Sequence, residues 1–119
     1  MNQDSSTDSP TFKIFFNKKR QWIDIYLWDV HPNTFANWKA GRWGYFIAKW
    51  ENPKLGIFGE IHLVKSRVRE DVVVHELFHA LTEWMWANRI SMQSSNEERL
   101  VSFLDKLVGD FYREYRKIK

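Results

Sequence analysis

The chain has 119 residues, enough for one domain with one core, and its 44% hydrophobic and 17% aromatic content, with seven Trp and nine Phe, is globular composition. The absence of cysteine excludes a disulfide framework, a thiol nucleophile and thiolate ligands, so any metal must be held by His and carboxylates. A net charge of +3 without a basic motif does not point to nucleic acid, and no apolar run has the length of a membrane span, so a monomeric cytoplasmic protein is expected.

Residues 1–10 (MNQDSSTDSP) are polar, lack the apolar core of a signal peptide and are expected to form a disordered leader ahead of a single domain over residues 11–119. Residues 12–16 (FKIFF) predict a short strand, and Asn17 to Arg20 a polar turn. Residues 21–29 alternate, with Ile23, Ile25 and Leu27 on one face and Trp22, Asp24, Tyr26 and Trp28 on the other, which completes a hairpin. Residues 30–41 carry His31, Pro32, Asn33 and Gly41 and predict a loop. A third strand is expected over 43–50, broken by Asn52-Pro53-Lys54. A fourth is expected over 57–65, with Ile57, Gly59, Ile61 and Leu63 on one face and Phe58, Glu60, His62 and Val64 on the other. A helix is expected over 69–88, with Glu70 and Asp71 suited to its first turn. After a polar connection, Asn96 is expected to cap a last helix running to about Lys117. Strands followed by helices predict an α+β fold: an antiparallel or mixed sheet of about four strands with two helices on one face.

The penultimate helix holds the string His75-Glu76-Leu77-Phe78-His79. Two histidines four residues apart project from one helical face, one turn apart, so both imidazoles can reach one metal ion. A glutamate beside the first histidine is placed to act on a metal-bound water, which is the sequence form of a zinc peptidase site. With His75 at zero, His79 falls at about 40°, Trp86 at about 20° and Glu76 at about 100° round the helix. Val73, Val74, Leu77, Phe78, Leu81, Trp84 and Met85 form an apolar back. Bulky residues on both sides predict a covered seam, in which the histidines need partners.

A catalytic zinc takes three protein ligands and a water. The candidates for the third are His31, His62 or a carboxylate. Glu97 shares the helical face of Val101, Leu104 and Val108, where an unpaired carboxylate is costly, so Glu97 is the expected ligand with Glu98 as the alternative.

The order of strand, H-E-x-x-H helix, short connection and glutamate-bearing helix resembles the gluzincin branch of zinc metallopeptidases. The nearest likeness is to its small single-domain members and to metallopeptidase-like proteins of phages and mobile elements. The resemblance covers residues 57–111, and FGEIHLVKSRVREDVVVHELFHAL is its most specific part. It implies a zincin-like fold and one Zn2+ held by His75, His79 and the helix glutamate, with Glu76 as general base. It also implies a peptide or protein substrate aligned by the strand before the active-site helix, here Gly59, Glu60, Ile61 and His62. The N-E-x-x-S-D string of the thermolysin type is departed from, because Leu100 and Val101 stand where Ser and Asp would be. His62, Tyr112 and Tyr115 are the candidate donors to a tetrahedral oxyanion, His62 first. The expectation is a zinc metalloendopeptidase. The alternative is a catalytically silent zincin-fold regulatory or interaction protein that binds zinc without general proteolysis.

Overall fold

The computed structural model describes residues 9–16, 20–29, 43–91 and 93–118. They form an α+β structure: four strands, β1 (Phe12–Phe15), β2 (Gln21–Trp28), β3 (Gly44–Ala48) and β4 (Gly56–Val64), then a 3-10 turn (Lys65–Arg67) and two helices, α1 (Glu70–Ala87) and α2 (Ser94–Ile118). Residues 1–8 of the expected leader, residues 17–19 of the expected turn and the loop that carries His31 lie outside the described residues.

The strands make one mixed sheet in the order β1-β2-β4-β3. β1 and β2 pair antiparallel, with Phe12 opposite Ile25 and Phe15 opposite Trp22, which is the hairpin expected from the alternation. β2 and β4 pair parallel, and β3 returns antiparallel to β4. The β3–β4 connection is closed by the Asn52–Leu55 bridge and by Gly56, whose φ of 83° lies in the region that glycine occupies without a Cβ penalty.

Strict alternation fails in one place on β4. Trp22 pairs with Ile57 but Ile23 pairs with Gly59, so Phe58 is an extra residue in a bulge. Its side chain is turned into the core with Ile61 and Leu63 instead of lying opposite them. There it meets the ring of Phe16 edge-on at 5.3 Å, with Phe46 and Trp50 stacked at 6.3 Å.

The core lies between this face of the sheet and the helices. Ile14, Ile23, Ile25, Phe58, Ile61 and Leu63 meet Val73, Leu77, Ala80, Leu81, Trp84 and Met85 of α1 and Leu100, Leu107 and Phe111 of α2. Aromatic edges tie the layers together: Trp84 to Phe103 at 5.0 Å, Phe16 to Phe103 at 5.4 Å and Phe12 to Phe111 at 5.3 Å.

α1 has Glu70 and Asp71 in its first turn, where carboxylates oppose the positive helix end. It stops where the Asn88 side chain donates to the Trp84 carbonyl and Arg89 turns to φ 58°. α2 starts at Ser94, two residues before the expected cap. Asn96 therefore lies inside the first turn, and its side-chain amide donates back to the Ser91 carbonyl. The buried line of α2 is Leu100, Leu107 and Phe111, with Leu104 and Val108 partly buried against the core. Glu97 and Val101 of the expected stripe are exposed, Val101 at 50%.

Candidate metal centre on the first long helix

α1 presents the H-E-x-x-H string with its three polar residues in different surroundings. His75 and His79 are exposed, whereas Glu76 is buried. The imidazole Nε2 atoms of His75 and His79 approach to 3.1 Å, with the rings nearly perpendicular. At that distance one nitrogen can donate its N–H to the other. The separation is also close to the roughly 3.3 Å between two ligand nitrogens on one tetrahedral zinc with bonds of about 2.0–2.1 Å. The donor chemistry and spacing of the pair thus fit a zinc ion.

The expected covered seam is found in part: Glu76 is buried, whereas His75 and His79 are exposed and Trp86 on the same line is 71% exposed. The apolar back is packed, with Val73, Leu77, Leu81 and Trp84 buried against the sheet and α2.

Glu76 is held beside β3. A Cβ placed on Gly44 would come within 3.3 Å of the Glu76 Cγ and within 2.7 Å of Leu63, so the absence of a side chain at 44 lets the strand lie close over the carboxylate stem. β3 is the last strand of the sheet among the described residues, and its Gly44 end lies beside Glu76.

Among the described residues the expected third ligands Glu97 and Glu98 are not gathered with the imidazole pair into one metal-holding group. Glu97 and Glu98 are both exposed, and among the described residues no three His, Asp or Glu side chains converge on one point. Burial of a carboxylate on the α2 stripe therefore gives no reason to choose Glu97. Its position gives another: Glu97 lines a groove with Phe78, Leu81, Leu100, Val101 and Leu104, which places it next to the residue preceding His79. Glu98 does not line that groove among the described residues. Tyr112 and Tyr115 pack on Phe111 and on each other. Burial, with the nearby Glu70, raises the Tyr112 hydroxyl above its ordinary value.

The expected role of residues 59–62 is corrected. β4 is an inner strand, hydrogen-bonded to β2 on one side and β3 on the other, so Gly59, Glu60, Ile61 and His62 have no free backbone edge for a peptide. That β3, itself expected as a strand, lies on the far side of β4 was not visible in the sequence, because pairing partners depend on topology rather than on local pattern.

His62 is likewise removed from the centre. It pairs in register with Tyr26 and Tyr45, on the sheet face away from Leu63 and the helices. Its ring is fully buried and stacked between those tyrosines at 4.7 Å and 5.0 Å. Trp28 Nε1 donates to His62 Nδ1 at 2.9 Å, which leaves the proton on Nε2 to be donated to Glu60 Oε1 at 2.9 Å. Both ring nitrogens are engaged, so His62 has neither a lone pair for zinc nor a donor for an oxyanion.

Two acids on this second face have opposite stability effects. The His62 hydrogen bond holds the Glu60 carboxyl below its ordinary value, a shift that stabilises the fold above about pH 4.5 and is lost as pH falls through the depressed pKa. Burial raises the Asp24 carboxyl despite Lys13 at 4.0 Å, so ionising Asp24 costs stability as pH rises through its folded value. At pH 7 Glu60→Gln is expected to lower the melting temperature and Asp24→Asn to raise it. Both differences should shrink towards pH 3, as followed by circular dichroism melts. Equal signs for the two variants at pH 7 would contradict the assignment.

No family model matches the chain, and no curated protein or solved structure matches it.

Proposed function

We propose that the chain is a zinc-dependent peptidase of the single-domain zincin type, with His75 and His79 as two ligands of one zinc and Glu76 as general base. The observation that carries this reading is the approach of the Nε2 atoms of two exposed imidazoles to 3.1 Å, beside a buried glutamate. Glu97, on the groove wall next to Phe78, is the proposed third ligand. A zinc held there supplies Lewis acidity and brings the pKa of a bound water towards neutrality.

The chain's own residues do the rest. Glu76 accepts a proton from the attacking water and passes it to the amine nitrogen that leaves when the peptide bond breaks. Its burial against β3 fixes the carboxyl in one place, as proton transfer over hydrogen-bond distance requires. Among the described residues β3 has a neighbouring strand on one side only, so its outer edge is where an extended peptide can add as a further strand. The role first expected of residues 59–62 is thus assigned to β3.

A second reading has one observation in its favour. Glu97 and Glu98 are exposed and do not converge on the imidazoles, which suits a zincin-fold interaction module that binds zinc without general proteolysis. Metal analysis and zinc-dependent melting of untagged protein separate the cases. Wild type should carry one equivalent of zinc and be stabilised by about 2.7 kcal/mol at a hundredfold excess over Kd. His79→Ala and Glu97→Ala should lose both effects, and Glu98→Ala should keep them. Wild-type protein without zinc and without a thermal response would end both zinc readings. Stoichiometric zinc without turnover on a peptide library would favour the interaction module.

A further inference from the structure

Trp86 and Trp50 stand at one end of the helix front. Trp86 follows His79 by seven residues on the same line of α1 and is 71% exposed, the most open of the large hydrophobic side chains identified among the described residues. Trp50 follows β3 and is fixed from two sides. Its ring stacks on Phe58 at 6.3 Å and 7°, and its Nε1 donates to Glu83 Oε2 at 2.8 Å. The two indoles meet edge-on at 6.1 Å. Together with Ala87, Arg89, Ile90 and Ser91 they line an open depression of about 500 Å³.

The depression lies past the end of β3 remote from Glu76. Gly44 at one end of β3 abuts Glu76, and Trp50 past the other end is bonded to Glu83. The edge of β3 therefore runs along α1 from the imidazole pair towards Trp86. Seven helical residues span about 10 Å. An extended peptide advances about 3.3 Å per residue, so the side chain over the depression belongs to a residue about three positions from the bond at the imidazole pair.

We infer that Trp50 and Trp86 form a side-chain subsite that selects a bulky apolar or aromatic residue of a bound peptide about three positions from the scissile bond. The inference rests on the peptidase reading for its distance to that bond. The walls decide the chemistry. Two indoles, Ala87 and Ile90 favour apolar surface, and the Arg89 guanidinium at the rim opposes a substrate Lys or Arg that the indole faces would otherwise attract.

The test uses a synthetic peptide library in two arms. In the first, zinc-loaded wild type and Trp86→Ala cleave the library and the cut sites are read by mass spectrometry. Phe, Tyr, Trp, Leu and Met should be enriched about three residues from the cut by wild type. The preference should fall by roughly tenfold in Trp86→Ala and persist in Trp86→Phe, with zinc content and melting temperature unchanged. In the second arm, immobilised zinc-loaded Glu76→Gln protein, with and without Trp86→Ala, captures peptides from the same library. Enrichment of bulky apolar residues that depends on Trp86 supports the subsite even if no cleavage occurs, a result that would count against the peptidase reading alone. Cleavage or capture without that enrichment, or enrichment that survives Trp86→Ala, overturns the inference.

Discussion

Glu76→Gln is expected to reduce peptide hydrolysis by about 10²- to 10⁴-fold, the range of a lost general base, while the protein keeps its zinc and its melting temperature. The substitution is nearly isosteric, and Glu76 is buried with its Cγ against the Gly44 position, so Gln can occupy the same space. The amide cannot take up the proton of the attacking water. His79→Ala has a different signature, because it removes one of the two nitrogens 3.1 Å apart and should lose metal and activity together. Zinc content, melting curves and initial rates on one fluorogenic peptide suffice for the comparison. Glu76→Gln with a rate within tenfold of wild type would exclude Glu76 as the base even if the zinc site is real.

Phe58→Ala is expected to cost about 3–5 kcal/mol, the usual range for emptying a buried phenylalanine site. Phe58 is fully buried and touches aromatic rings from three directions, Phe16, Phe46 and Trp50. Those rings are themselves held, Trp50 by Glu83 and Phe16 by Trp84 and Phe103, which limits collapse into the cavity. The measurement is urea unfolding with the m-value compared between variants. The same experiment tests the bulge. Strict alternation would put Phe58 beside Glu60 and His62 on the opposite face, away from the apolar core between sheet and helices. A loss below about 1 kcal/mol at unchanged m would reject the inward position. The variant also loosens the floor under Trp50, so peptide selectivity should broaden in parallel with stability.

The parts of the fold that local pattern specifies were legible in the chain. Alternation in β2 gave Ile23 and Ile25 to the core and Asp24 and Tyr26 to the other face, as the register with Glu60 and His62 requires. Helical spacing put Leu77, Leu81 and Trp84 on one buried side of α1 and the two imidazoles on the other. The spacing His75, Glu76, His79 is a property of any helix, so their shared front followed from the sequence and helical geometry alone.

What tertiary structure decided concerns neighbours that no local pattern encodes. The resemblance implied that β4 would align a peptide, but β3 pairs with its far side and leaves β4 inside the sheet. The bulge at Phe58 turns one side chain against the alternation, because its ring fits the cavity between Phe16 and Trp50. His62, a strand residue with two plausible chemical roles in sequence, is consumed by Trp28 and Glu60 on the far face. The orientation of α2 about its axis leaves Glu97 and Val101 exposed, since Leu100, Leu107 and Phe111 face the core with Leu104 and Val108 partly buried beside them. Five residues of one helix thus fixed the candidate chemistry, because a helix sets its own geometry. Which strand borders that chemistry, and which tryptophans close the path, depended on long-range packing.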